Sequence, residues 1–166
     1  NEGRRLCQLV FQLFEHRPGQ LWGSSLPERS DDLQQIADAG IKVVVSLESR
    51  FGFPDFSEFG LEHHQISIPD FDIPSEQNVR EFVDIVKTAM SQEKPVLVHC
   101  LAGCGRTGTM LAIAEIYIYG QTEGVDVIDF VRKTRSCAIE TSGQEESIRD
   151  HAANPLSGLT QHSLEN

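Results

Sequence analysis

The chain has 166 residues and a formal net charge of −11, with 39% hydrophobic and 23% charged residues. That length suits one ordinary domain with a real core, and the acidic balance argues against nucleic acid and anionic membrane surfaces, which favour basic patches. No apolar run is long enough to span a bilayer and Asn1-Glu2-Gly3-Arg4-Arg5 opens no signal-peptide core, so the expectation is a soluble, cytoplasmic monomer.

In chain order, Gln20-Leu21-Trp22-Gly23-Ser24-Ser25-Leu26-Pro27 reads as a short strand leaving into a turn. Ser30 is placed to cap a helix whose apolar residues Leu33, Ile36 and Ala37 share one face, and Gly40 ends it. Ile41 to Leu47 is a buried strand, residues 49–60 are a loop or short helical segment, and Leu61 to Ile68 alternates as another strand. Ser75 caps a helix carrying Val79, Phe82, Val83, Ile85, Val86 and Met90 at helical spacing. Pro95 to Val98 is a buried strand, and Met110 to Tyr117 continues as a largely buried helix. Gly120 to Gly124 is a turn, Val125, Val127, Ile128 and Val131 mark the next helix, and Glu145 to Ala153 the last, which Asn154-Pro155 should end. One domain is expected over residues 1–154, followed by a frayed polar tail at 155–166. Strands alternating with helices imply an α/β fold, mostly parallel, with ligands at the carboxyl ends of the strands.

The informative segment is His99-Cys100-Leu101-Ala102-Gly103-Cys104-Gly105-Arg106-Thr107-Gly108, a glycine-rich run between an apolar strand and an apolar helix. Such a loop aims backbone N–H groups and the positive end of the helix dipole at one small volume. A cysteine there is favoured as a thiolate, which makes Cys100 the candidate nucleophile. Arg106 can meet two oxygens of a tetrahedral anion with its planar guanidinium, and Thr107 can donate its hydroxyl to the Cys100 sulfur. The loop residues Leu101, Ala102, Gly103, Cys104 and Gly105 would bind phosphate together with Arg106.

Cys-x5-Arg followed by Thr107 and preceded by His99 resembles the signature of the cysteine-based protein tyrosine phosphatases, especially the small dual-specificity type. The resemblance covers about residues 20–150 and implies a sheet of about five strands flanked by helices. It also implies a phosphocysteine intermediate and no metal or cofactor. The mechanism calls for a general acid, and the Pro69-Asp70 pair, about thirty residues before Cys100, matches the family's position for one. Asp72 is the competitor, two residues on and chemically equivalent. A third match is Glu140-Thr141-Ser142-Gly143-Gln144, by which Gln144 would help place the hydrolytic water; the plain reading is a polar residue at the start of the last helix.

The implied partner is a phosphoprotein or phosphopeptide, with phosphotyrosine foremost and phosphoserine and phosphothreonine admitted by a shallow cleft. One alternative is a phosphatase of phosphoinositides, inositol phosphates or RNA 5′ ends, whose extra charge should want basic residues in a loop that is here neutral from Leu101 to Gly105. Another is a non-catalytic phosphopeptide-binding module, which would require loss of Cys100, Arg106 or the acid. Cysteines 7, 100, 104 and 137 show neither disulfide-framework nor zinc spacing. Cys104, sharing the loop, is a candidate resolving thiol should Cys100 be oxidised, but loop geometry argues the other way, because backbone amides, not side chains, should line the inside. His63 and His64, adjacent in a strand, point to opposite faces and cannot share a metal, so both read as surface or packing residues.

Overall fold

The structure, a computed structural model, describes residues 10–50 and 52–159; Cys7 and the end of the expected tail lie outside the described residues. Five strands form one sheet: β1 (Leu13–Arg17), β2 (Leu21–Ser24), β3 (Val43–Ser46), β4 (Glu62–Gln65) and β5 (Val96–His99), in the order β1-β2-β5-β3-β4. Only the β1–β2 pair is antiparallel, and β2–β5, β3–β5 and β3–β4 are parallel, as expected of this fold class. Among the described residues five α-helices accompany the strands: α1 (Ser30–Asp38), α2 (Glu76–Ser91), α3 (Gly105–Tyr117), α4 (Gly124–Thr134) and α5 (Ser142–Ala153).

Side-chain alternation along the strands explains the layers. Val43 and Val45 of β3 and Val96 and Val98 of β5 face α2, α3, α4 and α5, while Val44 and Leu97 face the opposite side, where Leu33 and Ile36 of α1 and Phe56 close a smaller core. Strand β5, fully buried between β2 and β3, therefore ends at the middle of the sheet's carboxyl edge. Helix α3, which starts just beyond it, is buried along its whole length. Its one internal carboxylate, Glu115, is held by His16 at 2.8 Å, Arg17 and Gln121.

Four local expectations change. Strand β1 was not foreseen: it is a short edge strand whose His16 and Arg17 find their partner almost a hundred residues away. Helix α1 begins at Ser30 itself, with Arg29 at the N-cap, and the Asp32 carboxylate accepts from the Glu28 and Arg29 N–H groups. Thr141 caps the last helix, which starts at Ser142, earlier than its apolar residues indicate. Residues 155–159, expected to fray, lie against the helices: Leu156 N–H donates to the Tyr117 hydroxyl at 2.9 Å, and Arg80 and Lys87 donate to the carbonyls of Ser157 and Leu159.

Candidate active site

The Cys100 loop is shaped by donors that hold its carbonyls outward. Leu101 O accepts from Leu26 N–H at 3.0 Å and Cys104 O from Ile139 N–H at 3.2 Å. Arg135 donates from Nη2 to Ala102 O at 2.9 Å and from Nε to Gly103 O at 3.0 Å. In a trans peptide the N–H points opposite to the C=O, so the amides of residues 102 to 105 turn to the inner side of the curl. Gly103 sits at φ 74° with its α-carbon so close to β2 that a Cβ would lie 2.7 Å from the Ser24 carbonyl carbon. Only glycine fits there.

Inside this curl Cys100 is 3% exposed. Thr107 Oγ1 donates to its sulfur at 3.0 Å. The Arg106 side chain, 2% exposed, runs under the loop: Nη1 donates to Ile68 O at 2.9 Å, and Nη2 donates to Glu48 Oε2 at 2.9 Å and lies 3.4 Å from Asp70 Oδ1. Burial opposes the Arg106 charge, but Glu48, Cys100 and Asp70 outweigh it, and the guanidinium titrates above its ordinary value. Its Nε is buried with no partner among the described residues. Both Nη atoms of the guanidinium are thus anchored by the protein, while Nε is not.

Asp70 stands in the turn after β4, its side chain 48% exposed. The turn closes through Asp72 N–H on Pro69 O at 3.0 Å, and Phe71 at its apex takes φ 64°. Asp70 Oδ1 accepts from Phe71 N–H at 2.9 Å, whereas Asp72 Oδ1 accepts from Ile73 N–H at 2.7 Å. Gln144 is fully buried beside the loop's end: its Oε1 accepts from the Glu140 and Thr141 N–H groups and its Nε2 donates to Asp72 O at 3.2 Å. Its amide therefore joins the start of α5 to the acid-bearing turn. The Glu140 carboxylate accepts from Gly105 N–H at 2.8 Å, so a side chain of this chain covers the last amide of the loop.

His99 is fully buried, with Nδ1 3.1 Å from Cys100 O and Nε2 2.5 Å from Ser46 Oγ. Burial holds it neutral, its pKa lowered to about 4. Ser46 Oγ also meets His63 Nε2 at 2.7 Å. His63 is thus not a packing residue of β4 alone, whereas His64 pairs with the exposed Glu62.

The cysteine reading needs one correction. Cys104 is joined to Cys137, so it is not available to resolve an oxidised Cys100, and Cys100 is the free cysteine among the described residues. Spacing could not reveal the bond, because Cys137 comes alongside the loop only through the turn that follows α4. Glu48, Ser46, Arg135 and Glu140 were likewise not singled out. Each lies in an otherwise unremarkable stretch, and only Glu140 stood inside a quoted motif. Among the described residues no cluster of His, Cys, Asp and Glu is placed to hold a metal, and no helix is long and apolar enough to cross a membrane.

A thiol at a strand-to-helix curl of amides, over a buried arginine and beside an aspartate turn, defines the class of cysteine-based tyrosine and dual-specificity phosphatases. The sequence pattern of a family described as "Polymorphic toxin system, DSP-PTPase phosphatase" matches residues 22–120, and the chain belongs to that family. Similar curated proteins include an uncharacterized protein of Methanocaldococcus jannaschii, 36% identical over 88 residues covering 52% of each chain. Another is the tyrosine-protein phosphatase CDC14 of Saccharomyces cerevisiae, 32% identical over 62% of this chain and 19% of that one. The chain thus spans about half, or less, of the curated relatives it matches. Among solved structures, Tk-PTP in its active form is 25% identical with a TM-score of 0.70, covering 79% of this chain and 92% of that one.

Proposed function

We propose that the chain hydrolyses phosphate monoesters on phosphoproteins, phosphotyrosine foremost and phosphoserine and phosphothreonine with it, through a phosphocysteine on Cys100. The observation that carries this reading is the convergence of three chemistries at the Cys100 loop. These are a free thiol with the Thr107 hydroxyl on its sulfur, a buried guanidinium with an unpartnered Nε, and an aspartate 3.4 Å from that guanidinium.

The phosphoryl oxygens rest on the inward amides of the loop and on Arg106, which Ile68 and Glu48 hold in place. Cys100 Sγ attacks phosphorus in line, the S–P bond forms as the ester P–O bond breaks, and protonated Asp70 gives its proton to the leaving oxygen. Water then attacks the phosphocysteine, Asp70 takes back a proton, and the S–P bond breaks with its electron pair on sulfur, where the Thr107 hydroxyl stabilises it. No metal enters these steps. Glu140 must leave Gly105 N–H, or share it, when phosphate is bound. The neutral side chains of the loop favour a singly esterified phosphate over polyphosphorylated ligands.

The test is metal-free hydrolysis of p-nitrophenyl phosphate beside phosphotyrosine, phosphoserine and phosphothreonine peptides, comparing wild type with Cys100→Ser in EDTA and reductant. Peptide turnover lost in Cys100→Ser is the expected result. Turnover of lipid, inositol or nucleotide phosphates with none of the peptides would overturn the protein substrate, and turnover by Cys100→Ser would overturn the nucleophile.

A further inference from the structure

We propose that His63 is a positioning residue for the Cys100 loop, acting through Ser46 and His99 to fix the hydrogen bond that holds the Cys100 carbonyl. The inference rests on the reading of Cys100 as nucleophile. Three short contacts form an unbroken line: His63 Nε2 to Ser46 Oγ at 2.7 Å, Ser46 Oγ to His99 Nε2 at 2.5 Å, and His99 Nδ1 to Cys100 O at 3.1 Å. Ser46 and His99 are fully buried, so no water competes along the inner part of the line. The rings are held by aromatic neighbours, with Phe56 and Phe53 at 4.4 and 5.1 Å from His63 and Phe53 at 6.1 Å from His99.

Proton counting gives the line a direction. A carbonyl oxygen only accepts, so His99 Nδ1 must carry the hydrogen that meets Cys100 O. His99 is neutral, its Nε2 is then a bare acceptor, and the Ser46 hydroxyl must donate to it. A hydroxyl has one hydrogen, so toward His63 the same oxygen accepts, and His63 Nε2 must donate. In the opposite arrangement Ser46 donates to His63, His99 donates from Nε2, and two lone pairs face each other at the Cys100 carbonyl. The His63 Nε2–H therefore leaves the Ser46 hydrogen to His99 and supports, from a residue outside the Cys100 loop, the tautomer that the Cys100 carbonyl requires.

The consequence reaches the sulfur through one peptide plane. Pinning the Cys100 carbonyl toward His99 turns the following Leu101 N–H to the other side of the plane, into the curl. Protonation of His63 leaves its Nε2–H in place, so acid does not reverse the line. Around it are Arg50 and Asp55 from the β3–β4 connection, Glu62 and His64 from β4, and His99 from β5.

The experiment uses the full chain with 15N-labelled histidine. In wild type the His99 ring is expected as the Nδ1–H tautomer by 15N shifts. In His63→Leu it is expected to become a mixture, with kcat for p-nitrophenyl phosphate falling about tenfold at little change in KM and the acid limb of kcat/KM moving to higher pH. His63→Gln, whose amide N–H can donate to Ser46, is expected to recover most of the loss. His64→Leu on the same strand should leave turnover and the His99 shifts as they are. Should His63→Leu not fold, Ser46→Ala breaks the line at its centre and is read in the same way. An unchanged His99 tautomer in His63→Leu and Ser46→Ala, or equal impairment of His63→Leu and His63→Gln, overturns the proposal. Cys100→Ser keeps the two readings apart: turnover by it ends the nucleophile assignment, while the His99 shifts still report on His63.

Discussion

Cys104 and Cys137 share a disulfide that ties the Cys100 loop to the turn after α4. The same wall is held without sulfur, because Arg135 binds the Ala102 and Gly103 carbonyls and Ile139 N–H binds that of Cys104. The cross-link joins residues 33 apart; in the chain-entropy account such a bond stabilises by about 3–4 kcal/mol through the unfolded state.

Losing it should therefore cost stability more than activity. Cys137→Ser is expected to melt about 10 °C lower, with kcat/KM within about threefold of wild type because the hydrogen bonds to three loop carbonyls remain. Calorimetry and p-nitrophenyl phosphate hydrolysis read the two effects separately. An unchanged Tm, or a collapse of turnover, would contradict this division.

Glu48 carries the second prediction. It binds Nη2 of an arginine that is 2% exposed, and Ile68 O is the other anchor. Removing the carboxylate leaves the buried guanidinium short of a partner and free to swing from the phosphate position. Glu48→Ala is expected to lower kcat/KM about 10- to 100-fold, with Glu48→Gln in between. Steady-state kinetics at several pH values check it; a Glu48→Ala enzyme with wild-type kcat/KM would mean that Ile68 alone positions Arg106.

The choice between Asp70 and Asp72 is tested by leaving groups. Asp70 lies 3.4 Å from Arg106, while the Asp72 carboxylate is turned to Ile73 N–H and its carbonyl is held by Gln144. Asp70→Ala is expected to slow alkyl and phenyl phosphates about 10²- to 10⁴-fold, and activated nitrophenyl esters much less. Asp72→Ala should show no such dependence on the leaving group. A steeper dependence in Asp72→Ala than in Asp70→Ala would reverse the assignment.

What the sequence made legible was what is local. Cys100, Arg106 and Thr107 lie within one strand-to-helix turn, so their meeting follows from backbone geometry, and the α/β alternation follows from hydrophobic period. Partners recruited across the sheet could not be read that way. Glu48 and Ser46 reach the site because β3 lies beside β5 in parallel register, Ser46 opposite His99. Strand β1 carries too few apolar residues to stand out, and its His16 and Arg17 side chains find their partner in Glu115, deep in α3. The motif resemblance singles out Gln144; that its amide is spent on the backbone of residues 72, 140 and 141 is a matter of segments distant in sequence meeting.

The buried histidine and the buried glutamate together set how the fold responds to acid. His99 is depressed from 6.5 to about 4 by burial, so between those values the unfolded chain binds a proton that the native one refuses. Stability is then complete above about pH 6.5 and falls as pH drops toward 4, by about 3 kcal/mol from this group. His63 and His151, also lowered by burial, act in the same direction. For Glu115, burial alone would raise the pKa, but Arg17, His16 and Gln121 bring it from 4.5 down to about 2. Its contribution is present above pH 4.5 and is lost as pH falls toward 2, so a second decline follows the first. Urea unfolding at a series of pH values from 7.5 to 2.5 should show both. In Glu115→Gln the chain is expected to be less stable at neutral pH but flatter below 4.5, with the decline between 6.5 and 4 intact. A wild-type stability that stays level from pH 7 to 4 would rule out a neutral, buried His99, and a lower decline that persists in Glu115→Gln would place it on other carboxylates.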